Sequence, residues 1–202
     1  MRYWLAKTLL KLFGWRVAGP APDLPKYVLI VAPHTSNWDF LVMLALATAL
    51  RLKVTWMGKH TLFRPPFGPI MRRLGGLPIN RTARHNAVEQ AIESFRASDR
   101  LVLAILPEGT RKRAPYWKSG FYHIARGANV PIALGFADYQ RKVGGIGRVF
   151  MPSGDTEADM AIIRDFYTGI VGKRPEQFGA IQFRLQDVDG GLGAAPPPPD
   201  PY

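Results

Sequence analysis

The apolar positions of the chain fall into short continuous runs and helical stripes, with little between them. The run YVLIVA, residues 27–32, stops at Pro33 and reads as a strand. FLVMLALATAL, residues 40–50, has helix-forming character and follows within a few residues. It is well short of the ~20 apolar residues a membrane-spanning helix needs, so a buried core helix ended by Arg51 and Lys53 is expected. VTWM predicts a second strand leading into Gly58 and Lys59. Residues 60–81 are dense in Gly, Pro and basic side chains, which predicts a structured loop with short helical pieces. In HNAVEQAIESFRA, Ala87, Val88, Ala91, Ile92 and Phe95 share one face of a helix. LVLAIL predicts a strand that breaks at Pro107. YWKSGFYHIARGANVPIALGF predicts a helix stopped at Gly127 and then a strand, and RKVGGIGRVFMP a turn and a short strand. A last amphipathic helix, EADMAIIRDFYTGI, turns Ile162, Ile163, Phe166, Tyr167 and Ile170 inward. Strands alternating with helices define an α/β fold: a mixed, largely parallel sheet flanked by helices on both faces, with its motifs gathered at one edge. Strand order does not follow from the sequence.

The two ends differ from the middle. In MRYWLAKTLLKLFGWRVAG, Leu5, Leu9, Leu12 and Phe13 recur at helical spacing, Lys7 and Lys11 lie on another side, and Trp4 and Trp15 stand near the ends. This pattern fits an amphipathic helix lying in a membrane interface, and equally a surface helix packed on the core. Lysines interrupt the apolar part and no small-residue cleavage pattern follows, so it is not a signal peptide. The last residues, DGGLGAAPPPPDPY, are rich in Gly and Pro and predict an extended, disordered tail. The expected division is a helix over 1–19, one domain over 20–188, and a tail over 189–202.

Charge narrows the partners without choosing among them. Lys and Arg number 27 against 15 Asp and Glu, giving +12 and a pI near 10.3. That balance favours polyanionic company: nucleic acid, an anionic membrane surface or a phosphorylated substrate. No aromatic stacking motif of the RNA-binding kind appears on the strands, which argues against nucleic acid. Cysteine is absent, which excludes disulfides, thiolate metal sites and a cysteine nucleophile. The GGIG of residues 144–147 lacks the spacing of a dinucleotide fingerprint.

Two strand ends carry the candidate chemistry. His34 lies just beyond the first strand, and Asp39 follows in the first turn of the next helix. A histidine oriented by a carboxylate through one ring nitrogen can take a proton from a hydroxyl through the other. A loop histidine beside an Asp favoured by the helix dipole gives the same pattern. The second place is Glu108-Gly109-Thr110-Arg111, after the LVLAIL strand. Here a carboxylate, a hydroxyl, a main-chain N–H and a guanidinium suited to phosphate share one turn, which also fits a surface turn with an internal ion pair. His123, in a helix among aromatic residues, reads as structural.

With these motifs in order, the chain resembles the glycerolipid acyltransferases, the family that includes the lysophosphatidic acid acyltransferases. Four blocks carry the resemblance over roughly residues 28–136. They are His34-x4-Asp39; Lys59 and Leu62 through Pro66, Gly68 and Gly75 to Arg81; Glu108 to Arg111 with Lys118-Ser119-Gly120; and Val130-Pro131-Ile132. One departure is Pro33, where many members have Asn. The resemblance implies acyl transfer to a hydroxyl, with His34 as general base and Asp39 fixing its tautomer. It implies that Arg81 and Arg111 bind the acceptor's phosphate, that Glu108, Gly109 and Thr110 shape the site, and that Lys59 assists. The donor would be acyl-CoA or an acyl-carrier-protein thioester, with no metal and no cofactor. The acceptor would be a lysophospholipid such as 1-acyl-glycerol-3-phosphate, met by a peripheral protein on the cytoplasmic face of an anionic membrane. Glycerol 3-phosphate, a lyso-ornithine lipid or a glycolipid are alternative acceptors. A non-catalytic basic protein binding membranes or nucleic acid is the alternative of another class.

Overall fold

The computed structural model of the protein describes residues 2–79 and 84–184. Its centre is the apolar run that follows the proline-rich connector. Strand β2 (Lys26–Ala32) is buried from Tyr27 onward on both faces, as its unbroken apolar sequence requires of an inner parallel strand. Beside it lie β5 (Leu101–Ile105) and β6 (Ile132–Asp138), both parallel to it. β3 (Val54–Lys59) and β4 (Gly76–Ile79) extend the sheet beyond β5, again parallel. On the other side β7 (Val143–Phe150) returns antiparallel to β6, and β1 (Arg16–Ala18) runs with β7. The order is β1-β7-β6-β2-β5-β3-β4.

The alternation of side chains along β2 divides the core in two. Val28, Ile30 and Ala32 meet α4 (Arg84–Arg96), α5 (Gly120–Ala128) and α6 (Thr156–Tyr167), through Ala91 and Phe95, Phe121 and Ile124, and Met160 and Ile163. Each large apolar side chain buried there contributes roughly 2–3 kcal/mol. Tyr27, Leu29 and Val31 point to the opposite face, toward Met43 and Leu50. That face is covered by α2 (Trp38–Ala49), and α1 (Arg2–Leu12) packs on α2 through Ala6 and Leu10 against Leu46 and Ala49. The inward residues expected on α4 and α6 are buried or half-buried.

Five local expectations change. The N-terminal helix ends at Leu12, and Arg16–Ala18 form an edge strand because their amides and carbonyls complete the β7 ladder. Leu5, Leu9, Leu12 and Phe13 are exposed, while Ala6 and Leu10 do the packing and Trp15 is buried. The α2 run is not a fully buried core helix. Its first turns leave Trp38, Phe40 and Leu41 exposed. Within residues 60–81, Gly76–Ile79 form a strand because Trp56–Lys59 present a free edge for pairing. Gly127 does not stop its helix. α5 runs on to Ala128 and ends at Asn129 in the left-handed region, φ 52°. A Cβ at Gly127 would collide with the Ile92 side chain, so this glycine lets α4 and α5 approach. β7 has eight residues rather than a short run, because it pairs on both sides. Residues 189–202, the expected tail, lie outside the described residues.

Candidate active site

Three neighbouring strands, β6, β2 and β5, deliver residues just beyond their carboxyl ends to the same rim of the sheet: Tyr139, His34 and Glu108. Lys59 closes β3, the next strand in that series. In parallel sheets the carboxyl ends of the strands are where ligand-binding residues converge.

His34 sits on a short loop between the cis Ala32–Pro33 peptide and α2. The loop is buried: His34 is 7% exposed and Thr35 and Asp39 are 1% exposed. Asp39, in the first turn of α2, folds back over it. Its Oδ2 accepts hydrogen bonds from the amides of Thr35 and Ser36, both at 2.8 Å. The same oxygen stands 3.3 Å from His34 Nδ1, close but not aligned as a formed hydrogen bond. Its other oxygen, Oδ1, accepts from the Tyr139 hydroxyl at 2.7 Å. Burial is the largest influence on Asp39 and pushes its pKa up. The contacts with His34, Tyr139, Ser36 and Thr35 outweigh it, and the carboxyl stays below its ordinary value. The carboxylate is therefore ionised, positioned and shielded behind the imidazole. Nδ1 faces Asp39, which leaves Nε2 as the nitrogen available to a hydroxyl.

Glu108 lies beneath this loop, at the inner lining of the groove. It is 3% exposed, and its Oε1 accepts from the His34 amide at 2.7 Å. Burial pushes its pKa up to about 8; the amide bond pulls it down and the charge of Asp39 pushes it further up. Past it the chain surfaces: Gly109, Thr110 and Arg111 are exposed, with Gly109 at φ 67° and the Lys112 amide on the Thr110 hydroxyl at 3.2 Å. Arg111 therefore stands at the mouth while Glu108 supports the floor. Arg81 lies outside the described residues. His123 is half-buried in α5, and among the described residues no His, Asp and Glu cluster could hold a metal ion.

Two further parts of the site escaped sequence reasoning. One is Tyr139, which follows β6 as His34 follows β2; the strand-end rule applied to VPIALGFAD points to it. The other is the segment after α6. The Tyr139 amide bonds Val171 O at 2.8 Å, and the Arg174 amide bonds the Thr35 hydroxyl at 3.1 Å. Gly172 is packed so closely that a Cβ there would lie 2.9 Å from Thr35 Oγ1 and 3.0 Å from Pro33 Cβ. Lys173 reaches over the Trp38 ring, 4.6 Å from its centroid. No periodicity or motif marks this segment, and its hydrogen bonds to Tyr139 and Thr35 are made by main chain.

His34 lines an open groove that continues between α2 and the sheet along Met43, Leu50, Val54, Trp56 and Leu106. Arg111 and Lys173 lie on the same groove. Around it the surface is apolar. Among the described residues, eleven of the thirteen exposed large hydrophobic side chains belong to α1 with Phe13, to the first turns of α2, and to residues 60–73. Phe40 meets Trp56 edge-on at 5.9 Å, and α1 packs along α2, so these elements adjoin. No described helix is long and apolar enough to cross a membrane.

A histidine backed by a buried carboxylate thus stands at the rim of a largely parallel α/β sheet, beside a groove with an apolar lining. The family model described as Acyltransferase matches residues 21–133, from the connector through the start of β6. The chain belongs to this family, the glycerolipid acyltransferases. Its fold is similar to the crystal structure of the 1-acyl-sn-glycerophosphate (LPA) acyltransferase PlsC from Thermotoga maritima. The TM-score is 0.61 and the identity 17%, over 84% of this chain and 76% of that one. At that identity the likeness is one of fold. No curated protein sequence matches the chain.

Proposed function

We propose that the protein transfers a fatty acyl group from an acyl thioester, of CoA or of acyl-carrier protein, to the hydroxyl of a lysophospholipid such as 1-acyl-glycerol-3-phosphate. It does so in phospholipid biosynthesis, bound peripherally to the cytoplasmic face of a membrane. The observation that carries this reading is the placement of His34, open to an apolar groove with Asp39 fixed behind it.

His34 Nε2 takes the proton of the acceptor hydroxyl as its oxygen attacks the thioester carbonyl. The C–O bond forms, Asp39 stabilises the imidazolium, and collapse of the tetrahedral adduct breaks the C–S bond. The leaving thiolate takes the proton back from His34. The enzyme stays uncharged by acyl group throughout, so no side-chain nucleophile is needed. Arg111 at the mouth, with Arg81, meets the acceptor's phosphate, for which a guanidinium offers two parallel donors. Lys59 assists by charge. The groove beyond His34 has the apolar lining an acyl chain requires. The exposed apolar side chains of α1, α2 and residues 60–73 support peripheral membrane binding, and Lys7, Lys11, Arg64, Arg72 and Arg73 stand among them to meet anionic headgroups. The resemblance of fold to a protein named as an LPA acyltransferase supports the choice of acceptor.

The test is a transfer assay with labelled acyl-CoA and acyl-carrier protein, over acceptors with and without a phosphate. His34→Ala is expected to lose at least a thousandfold in kcat. Arg111→Ala is expected to raise KM for phosphate-bearing acceptors alone. Transfer to a lyso-ornithine lipid or a glycolipid with no response to Arg111→Ala would keep the chemistry and remove the acceptor assignment. Product that persists in His34→Ala would remove the mechanism.

A further inference from the structure

Asp39 is held from two sides by parts of the chain that are far apart in sequence. The amides of Thr35 and Ser36 both bind Oδ2, the oxygen that faces His34. Oδ1 is bound by one side-chain donor, the hydroxyl of Tyr139, 100 residues along the chain. A carboxylate turns easily about its terminal bond, so a single grip on one oxygen leaves the other free to swing. The Tyr139 hydroxyl supplies the second grip.

Tyr139 is itself fixed. Its amide bonds Val171 O at 2.8 Å, and its ring meets that of Trp15 edge-on, with centroids 5.0 Å apart and planes at 88°. Burial, helped by the hydrogen bond to Asp39 and its charge, raises the phenol well above its ordinary pKa, so the hydroxyl remains a donor. Trp15 is buried with Ala6 and Leu10 of α1, and its amide bonds Leu10 O at 2.7 Å. The opposite side of α1 presents Trp4, Leu5, Leu9 and Leu12 to the surroundings. Two aromatic rings therefore span from the outermost apolar helix to the carboxylate behind His34.

We propose that Tyr139 is a positioning residue of the acyl-transfer reaction, holding the Asp39 carboxylate in the orientation that meets His34, and that Trp15 braces Tyr139 so that the dyad is registered against α1. This rests on the acyl-transfer reading above. The role assigned to Tyr139 is exercised through Asp39, whose Oδ1 its hydroxyl holds.

Tyr139→Phe keeps the ring against Trp15 and removes only the hydroxyl. The expected result is about a tenfold fall in kcat with KM unchanged within twofold. The Asp39 carboxyl, followed by 13C NMR on aspartate-labelled protein, is expected to titrate at higher pH than in the wild type, its titratable neighbours His34 and Glu108 being present in both proteins. Trp15→Leu, which keeps an apolar side chain under α1, is expected to lower kcat, and the double variant to match Tyr139→Phe within twofold. A Tyr139→Phe kcat within twofold of wild type overturns the positioning role, whatever the carboxyl does. Losses that multiply in the double variant overturn the brace. If the wild-type protein transfers no acyl group to any acceptor, the acyl-transfer reading fails by itself. The Asp39 titration then decides alone: unmoved by Tyr139→Phe, it overturns the contact, and moved, it upholds it.

Discussion

Glu108 makes a stability prediction that can be worked from its surroundings. The side chain is 3% exposed, one oxygen serves the His34 amide, and the other is buried with no hydrogen-bond partner among the described residues. The folded protein therefore holds a proton there up to about pH 8, whereas the ordinary carboxyl of the unfolded chain loses it near 4.5. Between those values the unfolded state binds fewer protons than the folded one, so stability falls as pH rises, by about 1.4 kcal/mol per unit. The loss from this one group is roughly 3 kcal/mol by pH 7 and roughly 5 kcal/mol above pH 8. Glu108→Gln has no proton to lose and keeps an oxygen for the His34 amide. Urea unfolding followed by circular dichroism at pH 5, 7 and 9 measures the difference between the two proteins, in which titrations not coupled to Glu108 cancel. The variant is expected to be near parity at pH 5 and more stable by several kcal/mol at pH 9. Glu108→Ala, which orphans the amide, is expected to lose about 1–3 kcal/mol even at pH 5. A wild-type-to-Gln difference that stays constant across the three pH values would refute a protonated Glu108 in the folded state.

Two further outcomes follow from packing and from the apolar surface. Gly172→Ala drives a methyl against Thr35 and Pro33, so it should destabilise the protein by about 1–3 kcal/mol and lower the transfer rate, as thermal melts and the acyl-transfer assay can check. Leu9→Asp with Phe13→Asp removes exposed apolar side chains that each add about 1–3 kcal/mol when buried in a bilayer. Co-sedimentation with anionic vesicles should fall at least tenfold while the melting temperature stays within a degree or two; unchanged sedimentation would place the membrane contact elsewhere.

The longer strands were legible where a proline closes an apolar run. Pro33 and Pro107 each end an apolar run, and the residues behind them, His34 and Glu108, arrive at the same rim because β2 and β5 are neighbours. The short segments were harder. Arg16–Ala18 and Gly76–Ile79 carry too few residues to show a period, and they are strands because a neighbour's edge was open to them. Burial of α2 was misjudged from composition alone, since an apolar helix reads the same whether protein or another apolar phase covers it. In the site, the sequence offered Glu108 as a residue that shapes it, but not its bond to the His34 amide. Its role under His34 comes from the depth of the turn, which sequence does not encode locally. Tyr139 and Gly172 depend on contacts 100 residues or more from their partners, Asp39 in one case and Thr35 in the other.

The loop from His34 to Ser36 is gripped by Asp39 from the next helix, by Glu108 from a neighbouring strand, and by Arg174 from beyond the last helix. Such a loop is a keystone, set only when nearly the whole chain has closed around it. The family match ends at residue 133, short of Tyr139 and of the segment that carries Arg174, so a fragment cut at that boundary would keep the reactive side chains and lose the frame that aims them.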